Sequence, residues 1–360
     1  MYSLIKRPYL KIFLFPLALC YWALIFFRNL CYNIGVFASH PLPCKIISIG
    51  NITTGGTGKT PAVIYFAKLF KESGLRVAVL SRGYGRVSKG TIDLTRKNIN
   101  KHTWKYFGEE PLLIATKLIN VPVVVDNNRY RGGLYLINKY ESEVILLDDG
   151  FQHRSLYRDI DITLINANQP SYNYKLLPYG LLREPWKFLK RSDFVIITKR
   201  NIKGPSNYIR KKLKSLKIDY YNSKSEPSKN ILDINGVYTS IKNMKNKKAL
   251  AISAIGDPLS FEIMLKTLNI DFIDHITYKD HYEYKERDFN FIYNKINKLK
   301  PDYIITTEKD LIKFNDADKS IINMLYALPI QFSLSKVCLE IILKKLELGN
   351  APSKHHPNES

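Results

Sequence analysis

Short apolar runs alternate with amphipathic segments through the first half of the chain. Residues 45–49, KIISI, predict a buried strand, and residues 62–74, AVIYFAKLFKESG, place apolar side chains at helical spacing before a glycine stop. The same signals predict further strands at Arg76–Leu80, Val121–Val125, Val144–Leu147, Ile160–Ile165 and Phe194–Thr198. Strands that alternate with helices in this way predict an α/β fold with a mostly parallel sheet covered on both faces.

The second half of the chain shows new strand and helix signals after a polar stretch. Residues 222–230, NSKSEPSKN, predict a linker. The pattern beyond it predicts strands and one helix: strands at 231–238, 248–255 and 303–307, and a helix at Leu259–Leu268. We therefore predict a first domain over residues 41–222 and a second, smaller α/β domain over 223–350, with the functional site in the cleft between them. Residues 351–360 are predicted to be a disordered tail.

The N-terminal region, residues 1–40, carries the longest apolar run. Sixteen residues without a charge lie between Lys11 and Arg28, interrupted by Pro16. A signal peptide, a membrane-spanning helix extended by residues 30–37, and a helix packed on the protein's own core are the alternatives. We favour a membrane-associated helix anchored in the inner leaflet, with its basic flank in the cytoplasm.

Composition narrows the possible partners and compartments. The chain has 360 residues and a net charge of +23, from 55 Lys and Arg against 32 Asp and Glu. Such an excess suits nucleic acid, an anionic membrane surface or a phosphorylated substrate, and a compositional bias shared by a whole proteome is the alternative. The four cysteines form no C-x-x-C pair, which argues against a zinc site and suits a reducing compartment.

Residues 50–61, GNITTGGTGKTP, carry the strongest chemical signal. They resemble the phosphate-binding motif G-x-x-x-x-G-K-[ST], but Thr53 stands where the first glycine is usual. The motif lies between a predicted strand and a predicted helix, so its backbone amides and the helix N-terminus face a phosphate. This context favours a P-loop NTPase-type fold over a coincidental glycine-rich turn. The predicted nucleotide-binding residues are Thr53, Thr54, Gly55, Gly56, Thr57, Gly58, Lys59 and Thr60.

Two carboxylates complete this nucleotide site. Asp148 and Asp149 end the apolar strand ILLDD, which is typical of the strand that holds Mg²⁺ in phosphate-loop enzymes. Lys59 is expected to reach the β- and γ-phosphates of ATP, and the Thr60 hydroxyl is expected to bind the metal. The predicted Mg²⁺ ligands are therefore Thr60, Asp148 and Asp149, with Lys59 and Asp149 also assigned catalytic roles.

With these motifs, the chain resembles the tetraacyldisaccharide 4′-kinase family of Gram-negative bacteria. The resemblance rests on five blocks in order: GNITTGGTGKTP (50–61), LSRGYGR (80–86), DDGFQHRSLYRDIDI (148–162), LLPYGLLREP (176–185) and TTEKD (306–310). It implies transfer of the γ-phosphate of ATP to the 4′-hydroxyl of a tetraacylated glucosamine disaccharide 1-phosphate, giving lipid IVA. It also implies a lipid substrate at the cytoplasmic face of the inner membrane. We expect a monomer that binds no nucleic acid.

The resemblance also implies a general base made by an Asp–His pair. The Asp belongs to a G-D-E-P block, which here reads Gly108-Glu109-Glu110-Pro111, so Glu109 takes its place with one more methylene. Because a misplacement of about 1 Å lowers a rate about 10²-fold, the role of Glu109 depends on compensation by the backbone. His281, in the block Y-K-D-H-Y-E-Y, is the predicted partner, and an exposed loop histidine is the alternative.

Five further residues are assigned to the acceptor substrate. Arg82, Tyr84 and Arg86 follow the second strand, where they are expected to meet a phosphate group unless the segment is a purely structural turn. His153 is expected to orient the acceptor or Asp149, or else to cap a turn. The last of the five, Arg183 in LLREP, is expected to order the loop near the nucleotide.

Two alternative functions remain open from the sequence. A phosphate-loop GTPase or ATPase of the metallochaperone type shares the loop and the ILLDD strand. Asn201 stands where a guanine-reading motif has Asp, so guanine specificity is not supported. A membrane-attached module that binds ATP without turnover is the second alternative.

Overall fold

The computed structural model describes residues 8–94, 104–202 and 206–348. The predicted tail at 351–360 lies outside these residues. The helices are α1 Pro8–Asn33, α2 Lys59–Glu72, α3 Trp104–Phe107, α4 Glu109–Lys117, α5 Arg129–Tyr140, α6 Asn207–Leu216, α7 Pro258–Thr267, α8 Glu286–Leu299, α9 Glu308–Leu311, α10 Lys319–Ile322 and α11 Lys336–Leu348. The strands are β1 Lys45–Asn51, β2 Val77–Ser81, β3 Ile92–Asp93, β4 Val123–Val125, β5 Val144–Asp148, β6 Ile160–Asn166, β7 Phe194–Thr198, β8 Tyr221–Pro227, β9 Asn230–Asp233, β10 Tyr238–Ser240, β11 Lys248–Ser253, β12 Asp271–Thr277, β13 Tyr303–Thr307, β14 Leu325–Leu328 and β15 Ile330–Leu334.

The larger sheet has nine strands in the order β15-β8-β7-β6-β1-β5-β2-β4-β3. From β8 to β4 every neighbouring pair runs parallel, and the edge strands β15 and β3 pair antiparallel with their neighbours. The central strands β1 and β5 are apolar and almost wholly buried, as expected for parallel strands covered on both faces. The predicted α/β fold with a mostly parallel sheet is confirmed.

Helices on both faces of this sheet fix the ends of its central strands. On one face, Phe66 and Phe70 of α2 are buried against Leu146 of β5, and α11 adds Ile342 to the same cluster. On the other face, Leu136 of α5 packs against apolar side chains of β1, β2 and β5. Close packing on both faces leaves these strands little freedom to shift, so the residues that follow them are held in place.

A second sheet of six strands has the order β10-β9-β14-β13-β11-β12. Strands β11 to β14 pair in parallel, and β9 and β10 add an antiparallel hairpin at the edge. Phe261 of α7 packs on one face, whereas Phe289 of α8 and Phe314 pack on the other. The second half of the chain thus builds its own α/β layers, with the helix predicted at 259–268 present as α7.

The polar stretch at 222–230 is not a linker, which corrects the sequence-based prediction. Most of it forms β8, which pairs in parallel with β7 and antiparallel with β15. Ser223 and Ser225 point inward and are buried, and the backbone N–H of Ser225 donates to the Asn201 side chain at 2.8 Å. Small serines fit this interior position, so a composition typical of loops does not prevent strand pairing. The strand predicted at 231–238 is likewise the hairpin of β9 and β10, which turns at Gly236 with a φ of 88°.

The end of the chain returns to the larger sheet. Strand β15 pairs with β8 at the sheet edge, and the following helix α11 packs on the same face as α2. The domain boundary at residue 222 stays a prediction. By strand pairing and packing, however, residues 330–348 belong with the first sheet and not with the second, because their apolar side chains complete its core.

The N-terminal helix α1 continues through Pro16 and keeps most of its apolar surface exposed. Phe13, Leu24 and Phe27 are among the exposed side chains. Within the described residues, Phe13–Asn33 is long and apolar enough to cross a membrane by length and composition alone. On its other side, the Tyr21 hydroxyl donates to the Arg183 carbonyl at 2.9 Å, so the helix is attached to the body of the protein.

Candidate active site

The strands of both sheets end at one cleft of about 860 Å³. Ser81 and Asp148, at the ends of β2 and β5, line it from the larger sheet, and Thr307, at the end of β13, lines it from the smaller one. Ligands of open α/β sheets collect at the carboxyl ends of parallel strands. The cleft is therefore the candidate active site, in the position expected from the sequence.

The phosphate-binding loop between β1 and α2 is held by side chains from three strands. Asn51 Nδ2 donates to Thr57 Oγ1 at 2.8 Å, Asn166 Nδ2 donates to the Gly56 carbonyl at 3.1 Å, and Thr198 Oγ1 donates to the Thr57 carbonyl at 2.8 Å. Gly58 has a φ of 86°, in the left-handed region that only glycine adopts readily. These hydrogen bonds and this glycine hold the loop in a defined conformation.

Most of the predicted nucleotide-binding residues line the cleft. Thr54 to Thr60 all do so, and Lys59 and Thr60 begin α2, whose N-terminus supplies free amides to an anion. Thr53 is the exception, because it is buried beneath the loop and forms a β-bridge with Leu182. The residue that replaces the usual glycine therefore anchors the loop to the 176–185 segment and does not face the cleft.

Asp149 lies beside the phosphate loop. Its carboxylate is 3.5 Å from Lys59 Nζ and accepts from Arg183 Nη1 at 2.8 Å. Burial opposes its ionisation, but Lys59 and Arg183 hold the pKa of the Asp149 carboxyl well below its usual range. The structure therefore brings together Lys59 and Asp149, which the sequence assigned to the nucleotide site, and adds Arg183, which was assigned to the acceptor substrate with a role in ordering the loop near the nucleotide.

Asp148 differs from its neighbour in environment. Its Oδ2 accepts from Ser81 Oγ at 2.8 Å, while the buried Oδ1 has no hydrogen-bond partner among the described residues. Burial, reinforced by Glu110 and Asp149, raises the pKa of Asp148 to about 7. A buried carboxylate oxygen without a donor, aimed at a phosphate cleft, fits a divalent cation. Among the described residues, no group of three or more His, Cys, Asp or Glu side chains is arranged to hold a metal ion by itself, so such a cation needs the phosphate oxygens as further ligands.

Glu109 and His281 meet across the cleft. Glu109 begins α4 of the larger sheet, His281 follows β12 of the smaller one, and Glu109 Oε1 lies 2.7 Å from His281 Nδ1. Burial opposes ionisation of Glu109, but His281, Lys309 and Lys313 hold the pKa of its carboxyl well below its usual range. The extra methylene of Glu109 therefore does not prevent contact with the histidine.

Three of the predicted substrate residues line the same cleft as this pair. Tyr84 is largely exposed, and its ring centroid lies 5.6 Å from that of His281. Arg82 and His153 also line the cleft. Burial, together with Arg129, Arg158 and Arg82, lowers the pKa of His153 to about 4, and its Nε2 lies 3.1 Å from Ser155 Oγ. His153 is therefore neutral at physiological pH.

Arg86 lies apart from the other predicted substrate residues. Its guanidinium donates to the Gly90 carbonyl at 2.7 Å and to the Val125 carbonyl at 3.3 Å, and it is not among the residues that line the cleft. Its side chain also packs under Gly83, where a Cβ would approach its Cδ to 2.5 Å. This placement favours a structural role for Arg86 in the loop after β2, because both terminal guanidinium nitrogens already donate to backbone carbonyls.

Several charged residues of the site were not predicted from the sequence. Lys309 Nζ lies 2.9 Å from Glu109 Oε1, and Lys313 Nζ lies 2.7 Å from Glu109 Oε2. Arg129 is buried and donates to the Asp148 carbonyl at 3.2 Å, and burial lowers its pKa to about 10. The TTEKD block contains Lys309, so the signal was present, but nothing local showed which carboxylate the lysine meets.

A second missed feature joins the smaller sheet to the phosphate loop. The Asp257 carboxylate accepts from Lys199 Nζ at 2.8 Å and from Asn166 Nδ2 at 3.2 Å. At the neighbouring Gly256, an added Cβ would lie 2.9 Å from the Gly56 backbone nitrogen. The segment before α7 therefore lies directly against the loop, and only a glycine permits this approach.

Comparison with known proteins agrees with this geometry. The family model described as tetraacyldisaccharide-1-P 4′-kinase matches residues 10–347. The chain is 35% identical over 352 residues to the tetraacyldisaccharide 4′-kinase of Halothermothrix orenii, covering 90% of both chains. It is also 35% identical over 300 residues to that of Aquifex aeolicus, covering 83% of this chain and 89% of the relative.

A solved structure extends the similarity to three dimensions. The crystal structure of LpxK from Aquifex aeolicus in complex with ATP aligns with a TM-score of 0.74 at 33% identity, covering 94% of this chain and 99% of that one. The matches span both sheets and the cleft between them. The chain therefore belongs to the tetraacyldisaccharide-1-P 4′-kinase family.

Proposed function

We propose that the protein transfers the γ-phosphate of ATP to the 4′-hydroxyl of a tetraacyldisaccharide 1-phosphate, forming lipid IVA. One observation supports this proposal above all others: two groups of residues, one for the donor and one for the acceptor, line the same cleft. The phosphate loop with Lys59 and Asp149 lies on one side, and the pair of Glu109 and His281 lies on the other. A donor site and a base that face the same space suit phosphoryl transfer to a bound hydroxyl.

On the donor side, the loop amides and Lys59 bind and orient the triphosphate. Phosphoryl transfer depends mainly on positioning and on neutralising charge, and a preshaped loop at a helix N-terminus supplies both. Thr60, Asp148 and Asp149 would hold a Mg²⁺ ion, which neutralises charge on the phosphate oxygens when bound. Arg183 keeps Asp149 ionised and in place, since its guanidinium donates to both carboxylate oxygens.

On the acceptor side, His281 acts as the base and Glu109 orients it. The acceptor oxygen bonds to the γ-phosphorus, its proton passes to His281, and the bond to the β–γ bridging oxygen breaks to release ADP. Glu109 holds the imidazole and stabilises the positive charge that it acquires. The distance of 2.7 Å between Glu109 Oε1 and His281 Nδ1 supports glutamate in the place of the family's aspartate.

The lipid is proposed to enter from the side of α1. Exposed apolar side chains on this helix suit the acyl chains and the membrane, while Arg82, Tyr84 and His153 line the cleft where the sugar and phosphate would lie. The net charge of +23 suits an anionic membrane surface. We therefore place the protein, as a monomer, at the cytoplasmic face of the inner membrane.

A direct assay tests the proposal. The purified protein is incubated with Mg-ATP and tetraacyldisaccharide 1-phosphate in detergent micelles, and the lipid is separated by thin-layer chromatography. A lipid that gains one phosphate is expected. Lys59→Ala is expected to abolish transfer, while Lys68→Ala, an exposed lysine on the same helix, keeps it. ATP hydrolysis without phosphorylated lipid would instead favour a nucleotide switch.

A further inference from the structure

Helix α6 carries a strongly basic face that takes no part in the cleft. Over residues 194–218 the sequence contains eight Lys and Arg and neither Asp nor Glu. Lys211, Lys214 and Lys217, which caps the C-terminal end of the helix, are all exposed. None of these three lysines forms an ion pair with a described residue, and no residue of α6 lines the cleft. Their positive charge is therefore available to an anion outside the protein.

Aromatic contacts place α6 near the N-terminal helix α1. A 3₁₀ helix, Trp186–Arg191, lies between the two. On one side, the ring of Trp186 meets that of Tyr208 of α6, with the centroids 6.1 Å apart. On the other side, Lys187 Nζ lies 4.7 Å from the ring centroid of Phe26 of α1. The apolar helix, the 3₁₀ helix and the basic helix are therefore neighbours in that order.

Aromatic residues of α1 indicate the level at which a membrane surface would lie. Trp22 stacks on Phe26 with ring centroids 5.4 Å apart, and the exposed ammonium of Lys187 lies over Phe26. Tryptophan rings and lysine side chains collect where the hydrocarbon of a bilayer meets its headgroups. We therefore expect Lys187 to lie at the level of the headgroups when the exposed apolar side chains of α1 are in a bilayer.

We propose that Lys187, Lys211, Lys214 and Lys217, here termed the basic surface, bind the headgroups of anionic phospholipids beside α1. The inference rests on the membrane location in the proposed function, and it assigns the surface that meets the bilayer there. A lysine is attracted to an anionic membrane only within about a Debye length, which is about 8 Å at physiological ionic strength. Since a single 3₁₀ helix separates α6 from α1, the lysines of α6 are close enough to act.

The position of the basic surface favours the bilayer itself over the acceptor substrate as its partner. The phosphate of a bound acceptor would lie in the cleft, and none of the four lysines lines it. Helix α1 is attached to the body where the Tyr21 hydroxyl donates to the Arg183 carbonyl, so the body could still turn about this helix. A second contact at the basic surface would limit that rotation. The two contacts together would therefore fix the orientation of the cleft relative to the membrane.

Acylation of lysines, read out by mass spectrometry, tests the inference on the wild type. The full chain is diluted from detergent onto preformed vesicles of phosphatidylcholine, with or without phosphatidylglycerol, and treated with a membrane-impermeant acylating reagent. We expect the lysines of the basic surface to react about tenfold more slowly on the anionic vesicles. Lys242, Lys245 and Lys247, which are exposed between β10 and β11, are the internal reference and should react equally on both.

Three results of this measurement would overturn the inference. Equal reactivity of the basic surface on both kinds of vesicle would show that it is a solvated face. Equal slowing of the basic surface and of the reference lysines would show a contact without preferred orientation. Slower reaction of the basic surface in neutral micelles on addition of tetraacyldisaccharide 1-phosphate would assign these lysines to the substrate and not to the bilayer.

Removal of the charge gives a second, quantitative test. The triple variant Lys211→Gln, Lys214→Gln and Lys217→Gln keeps helix propensity, because glutamine and lysine are similar in this respect. Vesicle flotation measures the ratio of affinities for anionic and neutral vesicles, to which α1 contributes equally in both. We expect this ratio to fall about 10- to 100-fold.

A matched triple variant shows whether position or net charge matters. Lys242→Gln, Lys245→Gln and Lys247→Gln remove the same charge from the smaller sheet and are expected to keep the wild-type ratio. If the two triple variants lower the ratio equally, net charge alone explains the binding and the inference is overturned.

These measurements do not depend on phosphoryl transfer, so the inference and the kinase function can fail separately. Absence of phosphorylated lipid with the wild type in micelles would refute the kinase function, while the reactivity of the lysines still decides the role of the basic surface. Transfer in micelles by a protein whose basic surface reacts equally on both vesicles would keep the function and overturn the inference.

Discussion

Arg28 of the N-terminal helix lies 2.9 Å from Glu184, a fully buried carboxylate one residue after Arg183. Arg183 in turn donates to Asp149 at the phosphate loop, and its own carbonyl accepts from Tyr21 of the same helix. Two consecutive residues therefore join the N-terminal helix to the nucleotide site. These contacts hold the exposed apolar helix α1 and the donor site in a fixed position relative to each other.

This relation predicts that Arg28→Met weakens both stability and activity. The change removes one partner of a buried carboxylate whose other partner, Arg191, remains at 2.6 Å. We expect the free energy of unfolding to fall by about 1–3 kcal/mol, with a lower kcat because the segment carrying Arg183 loosens. Denaturant unfolding and the lipid kinase assay measure the two effects. Lys190→Met, an exposed change on the same 3₁₀ turn as Arg191, should leave both unchanged.

The contact between Glu109 and His281 predicts that this chain requires glutamate at position 109. Glu109→Asp shortens the side chain by one methylene, so the carboxylate withdraws from Nδ1. We expect kcat to fall about 10²-fold, as is usual for a misplacement of this size, with KM for ATP unchanged. Steady-state kinetics with both substrates check this. If the Asp variant were as active as the wild type, the backbone would be adapting to the shorter side chain, and activity would not depend on the length of the side chain at position 109.

We predict that Arg82 binds the substrate, whereas Arg86 stabilises the fold. Arg86→Ala leaves the carbonyls of Val125 and Gly90 without their donor, so we expect about 1–3 kcal/mol less stability and little change in KM. Arg82→Ala should do the reverse, raising KM for the lipid while keeping the unfolding midpoint. Thermal unfolding of the two variants, and their rates measured over a range of lipid concentrations, test these two assignments. A large rise in lipid KM for Arg86→Ala would contradict the structural assignment.

The lowered pKa of His153 predicts that the folded protein loses stability as the pH falls. Its pKa falls from an ordinary 6.5 to about 4 in the folded protein, because burial and nearby arginines disfavour its charge. Between these values the unfolded chain binds a proton that the folded chain does not, so stability falls as pH drops through this window. With allowance for partial exposure, we expect a loss of about 1–2 kcal/mol. His153→Gln should remove this part of the dependence, as measured by unfolding at neutral and acidic pH. If the change of stability with pH were the same in His153→Gln as in the wild type, His153 would not be a buried, neutral histidine in the folded protein.

The nucleotide side of the site was predictable because its signals are local. The strand KIISI, the glycine loop and the helix that begins at Lys59 follow one another within a few residues, and Asp148 and Asp149 end an apolar strand. Parallel strands bring their carboxyl ends to one edge, so the loop and the carboxylates had to lie close together. The structure shows them 3.5 Å apart at Lys59 and Asp149.

Other features were not predictable because they depend on contacts between distant segments. The serines of β8 are typical of a loop, and only pairing with β7 and β15 makes that segment a strand. Arg86 belongs to the same motif as Arg82, but its guanidinium donates to the carbonyl of Val125, at the end of β4, and to that of Gly90 in its own loop. Local composition carries no information on which partner a long side chain meets.

The sequence by itself determined the α/β class, the phosphate loop, the carboxylates beside it and the apolar N-terminal helix, since periodicity and short motifs act through neighbouring residues. The tertiary structure alone decided how Glu109, His281 and Lys309 combine. These residues lie far apart in the chain and on different sheets, and only the closure of one sheet onto the other brings their charges within hydrogen-bonding distance.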